Sequence, residues 1–195
     1  MMKLLYLVGS GYLAICIGAL VLPARSARTH GAAHGAAAAF AMPGGDDAWF
    51  ARIKPFCNAV EVDFAHQRSP APRTAPGAGY SAACYGLAGK IDSARAAIDR
   101  LPADERPLAA GIVFNVGHPV ADAGDDKSAG PIMALVIAYQ PDNYMALYHA
   151  GMSEYVLGQP DAARTHLRRF LQLYRSEDGW RSNAIQILER LGVTP

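Results

Sequence analysis

Histidine, cysteine and serine side chains are the first candidates for chemistry, and their spacing in this sequence matches no catalytic motif. A GxSxG nucleophile elbow, an HExxH pair, a Walker loop and a GxGxxG turn are all missing. Four histidines have no serine, cysteine or acidic partner at a recognisable spacing: His66, His118, His149 and His166. Catalytic groups assemble in space from distant positions, so an unrecognised hydrolase stays an alternative. We nevertheless expect no catalytic residue and a protein that is not an enzyme.

Two groups of possible metal ligands are weak for physical reasons. His30 and His34 would face the same way on a helix, but adjacent glycines weaken that helix and no third ligand is nearby. Asp122, Asp125 and Asp126 could serve as calcium ligands, yet the regular oxygens and closing glutamate of an EF-hand are absent. A surface turn and a helix cap suit these aspartates better. We therefore expect no metal and no other cofactor.

Cys57 and Cys84 lie outside the N-terminal apolar segment, and neither belongs to a CxxC motif. Two thiols could pair in an oxidising compartment. The proline-rich segment between them leaves their separation undetermined by sequence. A disulfide and two separate, buried residues that act as small apolar side chains both stay open, and we favour the second.

The net charge limits the class of partner, and the N-terminal segment indicates the compartment. The formal net charge is +1 over 195 residues, and lysine and arginine form no basic stripe, so we expect no nucleic acid partner. Residues 1–26 have the order of a Sec signal peptide: Lys3, an apolar run over residues 4–22, Pro23 and a small-residue site. That run of 19 residues is also just long enough to span a bilayer. Cleavage and retention as an anchor both stay open, and either predicts an exported, periplasmic or extracytoplasmic chain, soluble or membrane-anchored.

The elements that must position any site are expected to begin at residue 46. Residues 27–45 are an Ala/Gly/His-rich spacer with too little apolar surface to pack. In residues 46–67, apolar side chains recur every three or four positions and predict an amphipathic helix that Pro55 kinks or divides; a strand over residues 60–64 is a weaker alternative. These apolar side chains are Trp49, Ile53, Phe56, Val60 and Phe64. Three prolines and two glycines predict a loop over residues 69–79.

A period of 34 residues organises the rest of the chain. The matching pairs are Pro107 and Pro141, Gly117 and Gly151, Gly124 and Gly158, and Ala129 and Ala163. Leu147, Gly151, Gly158 and Ala163 resemble the tetratricopeptide repeat family. The resemblance implies an all-α fold of stacked antiparallel helical hairpins, with repeats at about 75–106, 107–140 and 141–174 and a capping helix at about 179–192. In the second repeat, His118 and Pro119 should interrupt the first helix, and residues 122–131 should form a long joint.

The resemblance also implies a function, because in this family the first helix of each unit lines a concave groove. The corresponding positions are Phe114, His118, Asp122, Met145, Tyr148, Met152 and Tyr155. Aromatic and methionine side chains favour an apolar segment of a protein or peptide of the cell envelope. These residues could instead pack against the helix over residues 46–67. A structural subunit, anchored by residues 4–22 in a larger membrane assembly, is the alternative function.

Overall fold

The structure, a computed structural model, describes residues 45–192. The predicted signal peptide or anchor over residues 1–26 and nearly all of the predicted spacer lie outside the described residues, as do His30 and His34. Among the residues described, no helix combines the length and the apolar character needed to cross a membrane.

The described part of the chain is entirely helical and contains no strand, which confirms the predicted all-α class of stacked helical hairpins. Three antiparallel pairs, α3 with α4, α5 with α6 and α7 with α8, follow one another, and α9 packs on the end of the last pair. The helices are α1 (Asp46–Ile53), α2 (Val62–Arg68), α3 (Ala75–Leu87), α4 (Ile91–Asp99), α5 (Arg106–Asp122), α6 (Asp126–Tyr139), α7 (Tyr144–Val156), α8 (Pro160–Leu173) and α9 (Gly179–Arg190).

The turn inside each hairpin depends on a glycine with positive φ. Gly124 and Gly158, which the period places in register, have φ values of +78° and +72°. A residue with a Cβ rarely adopts this conformation, whereas glycine reaches it without strain and so ends the first helix. Gly89 occupies the same place in the first hairpin, with φ +72°.

Two further glycines allow the paired helices to pack closely. A Cβ on Gly151 would lie 2.7 Å from Cγ of Leu167 on the facing helix. At the equivalent position in the preceding hairpin, a Cβ on Gly117 would lie 2.6 Å from Cγ2 of Ile132. Real side chains essentially never approach this closely, so only glycine fits at these two crossings.

The second hairpin is more regular than its sequence suggests. The predicted interruption at Pro119 is wrong, because α5 runs through this proline to Asp122. Pro119 lies in the last turn, so it removes only one hydrogen bond near the end of the helix, and its own carbonyl still accepts from the N–H of Ala123 at 3.1 Å. The predicted long joint is also wrong. It consists only of residues 123–125, since the Asp125 side chain accepts from the Ser128 N–H and starts α6.

The segment before the first hairpin differs from the prediction in two ways. The amphipathic helix over residues 46–67, which Pro55 was expected to kink or divide, is divided into α1, a 3₁₀ turn (Lys54–Phe56) and α2. The departure is that three of its five recurring apolar side chains, Phe56, Val60 and Phe64, are exposed. The loop predicted over residues 69–79 ends early, because Thr74 caps α3 by accepting from the Gly77 N–H. Pro76 falls in the first turn of α3, where a proline costs little.

Cys57 and Cys84 form a disulfide, which decides the question that the sequence left open against the favoured interpretation as two separate apolar residues. Packing of α1 against α3 brings their Cα atoms to 4.8 Å although 27 residues separate them in sequence. This separation lies within the usual range for bridged cysteines. The bond fastens the segment that contains α1 and α2 to the first hairpin.

Candidate functional site

The first helices of the second and third hairpins, α5 and α7, carry the seven residues predicted to form the groove. Phe114, His118 and Asp122 lie on α5, and Met145, Tyr148, Met152 and Tyr155 lie on α7. The two helices contact each other, and their residues fall into three neighbouring environments: an open groove, a polar cluster and a covered part.

The open groove contains two of the predicted residues, Phe114 and Met145. It has a volume of about 510 Å³ and is also lined by Tyr139, Asn143 and Tyr144. The Tyr144 side chain is 43% exposed, so an aromatic surface is available to a partner here. That these residues bind a partner stays a prediction.

Polar side chains at the rim of the open groove already have partners within the chain. The Gln140 amide donates to the Pro107 carbonyl oxygen at 2.6 Å. Asn143 donates to Gln140 at 2.9 Å and accepts from the Ala146 N–H at 3.0 Å, which caps α7. These bonds fix the rim in place, and the surface left for a partner is mainly apolar.

The covered part contains Tyr148, Met152 and Tyr155, and α9 lies against it. Tyr148 is buried, its hydroxyl accepts from Asn183 Nδ2 at 2.7 Å, and the Trp180 ring meets it edge-on at 4.9 Å. Met152 and Tyr155 are partly buried against the same apolar cluster. Residues 46–67 were the expected alternative packing partner, whereas Tyr148 contacts Asn183 and Trp180 of α9 and Phe170 of α8.

The polar cluster consists of His118, Asp122 and His149, and only the first two were predicted as site residues. His118 and Asp122 are one turn apart on α5, and His149 reaches them from α7. Nε2 of each histidine lies 3.6 Å from Oδ1 of Asp122, too far for a good hydrogen bond. Both Nε2 atoms are buried and have no hydrogen-bond partner.

The surroundings of the polar cluster are aromatic, and they oppose charge on His149. The Phe114 ring stacks on His118 at 4.9 Å, and Trp180 meets His149 edge-on at 5.7 Å. Burial, together with the neighbouring His118, lowers the pKa of His149 to about 4, although Asp122 and Asp126 act in the other direction. The His149 imidazole is therefore neutral at pH 7.

His149 had a signal in the sequence that motif searching missed. It follows His118 by 31 residues, three fewer than the repeat period. In an array whose first helices lie side by side, that offset places two residues about one helical turn apart on neighbouring helices. The repeat register, rather than a local motif, would have predicted their contact.

A second pair, His66 and Ser81, has the geometry of a nucleophile and its base. His66 Nε2 lies 3.0 Å from Ser81 Oγ, and Nδ1 lies 2.9 Å from the Val62 carbonyl oxygen. Burial lowers the pKa of His66, and the pair borders a cavity of about 570 Å³. Ser81 itself is buried in the middle of α3. Two polar groups that satisfy each other in an apolar setting account for this arrangement without chemistry.

Stacked antiparallel hairpins, glycine turns at one period and a helix that covers the last pair define a helical-repeat protein. The family model for the tetratricopeptide repeat matches residues 145–176, which cover all of the third hairpin except Tyr144. This part of the chain is thus similar to a tetratricopeptide repeat. Neither a curated protein nor a solved structure matches the chain significantly.

Proposed function

We propose that the chain is a non-catalytic protein-interaction module of the cell envelope that holds an apolar segment of its partner in the open groove. The observation that supports this most directly is the groove itself, where Phe114, Met145 and Tyr144 border about 510 Å³ on a tetratricopeptide-type array. Proteins with such repeats bind other proteins, and aromatic and methionine side chains are enriched where partners bind.

The chemistry of the groove favours an apolar segment over a charged one. At its rim Gln140 and Asn143 bond within the chain and Asp142 is paired with Arg169, so a charged partner group would lose water and would have to compete with that ion pair for a counter-charge. Aromatic rings offer large contact areas at low entropic cost, and methionine adapts to irregular shapes. We expect one or two apolar side chains of the partner to enter between Phe114 and Met145.

The proposed location outside the cytoplasm has two supports of different kinds. Residues 1–26 have the composition of a signal peptide or anchor. Cys57 and Cys84 form a disulfide, and such bonds persist mainly in oxidising compartments. Mass determination of the chain recovered from cells distinguishes a cleaved signal peptide from a retained anchor. Retention would favour the alternative function, a subunit fixed in a larger membrane assembly.

The groove is tested by changing residues that line it. We expect Phe114→Ala together with Met145→Ala to abolish capture of partner proteins from gently solubilised membranes while the chain stays folded, with a melting temperature that falls only moderately because Phe114 also packs against the core. Leu108→Ala is the matched control, since Leu108 is exposed on the same helix and outside the groove. Undiminished capture by the double variant would refute the groove as the binding surface.

The proposed absence of catalysis has its own test at Ser81. A serine activated by His66 would react with a fluorophosphonate probe, whereas a buried hydroxyl held in a structural pair would not. We expect no labelling of the folded chain. Labelling that disappears in Ser81→Ala and in His66→Gln would show a hydrolase-type nucleophile and contradict the proposal.

A further inference from the structure

We propose that His118, Asp122 and His149 bind a divalent first-row transition-metal ion such as Zn²⁺. The site joins α5 to α7 across the boundary between the second and third hairpins. It lies beside the open groove, because the Phe114 ring that lines the groove also stacks on His118. The metal ion is a ligand separate from the proposed protein partner, and its binding does not depend on that partner.

The separations of the three candidate ligand atoms fit a metal ion. All three lie within 4.8 Å of one another, and each Nε2 is 3.6 Å from the Asp122 carboxylate oxygen. Ligands about 2.0–2.2 Å from a tetrahedral Zn²⁺ are separated from one another by roughly 3.4 Å. Small rotations of the His118 and Asp122 side chains, both of which reach the surface, would complete the geometry.

The two imidazole nitrogens provide an independent reason to expect a ligand. Buried polar atoms in proteins almost always have a partner, and these two have none among the described residues. The His149 side chain is more than nine-tenths buried, with Nε2 directed towards His118 and Asp122. A single cation between the three groups would satisfy both nitrogens and neutralise the carboxylate.

The ligand set also favours a class of metal. Imidazole nitrogen suits Zn²⁺ and its first-row neighbours, while Mg²⁺ and Ca²⁺ prefer sites made only of oxygen. The three side chains leave at least one coordination position free, and half-exposed Asp122 faces solvent. Water would take the remaining position, as in open zinc sites.

Calorimetric and thermal-shift titrations with ZnCl₂ test the proposal on the full chain. His30 and His34 are first changed to alanine, so that this separate histidine pair cannot take up metal. In that background we expect one Zn²⁺ per chain and a higher melting temperature that EDTA reverses, with no effect of MgCl₂ or CaCl₂. CoCl₂ should produce visible d–d absorption bands of nitrogen and oxygen ligation.

Single substitutions of the three side chains test which of them bind the metal ion. Asp122→Asn removes the charge from a half-exposed residue at unchanged size, and His118→Ala removes one nitrogen from a partly exposed position. Each should weaken Zn²⁺ binding by more than about tenfold. His149→Ala should do the same, and if its buried position prevents folding, the first two variants still decide the question.

The matched control is His166→Ala. His166 is partly buried on α8 and pairs with Glu154 at 2.8 Å, away from the cluster, so its loss should leave Zn²⁺ affinity within about twofold of the background value. The proposal is overturned if the background chain binds no Zn²⁺, or if Asp122→Asn and His118→Ala bind it as tightly as the background does.

Discussion

Single residues decide how closely the helices of this array approach one another, and Gly151 shows this most directly. Its backbone lies against Leu167, and the first atom of any side chain would lie 2.7 Å from Cγ of that leucine. The same steric relation recurs at Gly117 and Ile132. Because both pairs lie in the core, neither leucine nor isoleucine can move aside without disturbing other buried contacts.

Gly151→Leu should therefore lower the free energy of unfolding by about 3 kcal/mol or more, since overpacking of this severity displaces a helix. Chemical denaturation followed by circular dichroism measures the change. Gly179→Ala is the matched control, because a Cβ on Gly179 meets nothing within 4 Å. An unchanged free energy of unfolding in Gly151→Leu would mean that Gly151 is not at a helix contact.

His66 predicts a pH dependence of stability whose sign follows from burial. Its folded-state pKa lies below the ordinary value because burial disfavours the imidazolium, although the Val62 carbonyl and Asp63 oppose this. On acidification the unfolded chain takes up this proton first. The contribution of His66 to stability is thus complete above the ordinary histidine pKa, about 6.5, and is lost as the pH falls towards the folded-state value.

We expect thermal melting at about pH 7.5 and about pH 5 to show a smaller pH-dependent loss of stability in His66→Gln than in the wild type. The quantity compared is the change of melting temperature with pH. The melting temperature at a single pH is not compared, because losing the bonds to Ser81 and Val62 lowers the stability of the variant at every pH. His149 contributes equally to both proteins and cancels. Equal slopes would mean that His66 titrates alike in the folded and unfolded chains.

At the scale of elements, the disulfide stabilises the two short and partly exposed helices that precede the first hairpin, α1 and α2. α1 and α2 have eight and seven residues, too few to be stable alone, and Phe56 between them and Phe64 on α2 remain exposed. Three side chains, Trp49, Phe50 and Ile53, hold α1 against the first hairpin. The bond from Cys57 to Cys84 restricts how far this segment can separate from α3.

Replacing both cysteines by alanine should destabilise the chain by about 3 kcal/mol, because the closed loop of 27 residues no longer restricts the unfolded state. Hydrogen exchange should show the loss first in α1 and α2, with α7 to α9 less affected. The melting temperature of the wild type with and without a reductant gives the same comparison. Insensitivity of both measurements would show that this segment is held by its side-chain contacts alone.

Helices and turns of the array were predictable from the sequence wherever their geometry requires one particular residue type. The turn at Gly158 and the close helix contact at Gly151 each require glycine. Because that glycine recurs in the neighbouring hairpin, the 34-residue period revealed both features. Tertiary packing overrode local preference at Pro119, where α5 continues because its preceding turns are buried against α3 and α6. The pairing of His149 with His118 and Asp122 depends on the register of neighbouring helices, which no local pattern contains.

At the scale of the whole molecule, an array of hairpins must cover the apolar face of its last unit. Tyr148, Leu167 and Phe170 of the third hairpin form one apolar cluster with residues of α9. Asp178 starts α9 by accepting from the N–H groups of Trp180 and Arg181, which directs the helix onto α7 and α8. The same helix covers Tyr148 and leaves the open groove as the accessible part of the predicted surface.

Ending the chain after residue 175 should therefore expose this cluster and unfold the third hairpin before the first two. Ala184, Ile187 and Leu188 are buried, and losing their contacts should cost about 3 kcal/mol or more. We expect increased binding of a hydrophobic dye and loss of hydrogen-exchange protection in α7 and α8. Asp178→Ala removes the cap and the hydrogen bond from the Tyr174 hydroxyl but keeps the buried side chains of α9, so it should cost about 2 kcal/mol and keep that protection. Full protection of α7 in the shortened chain would show that the third hairpin needs no covering helix.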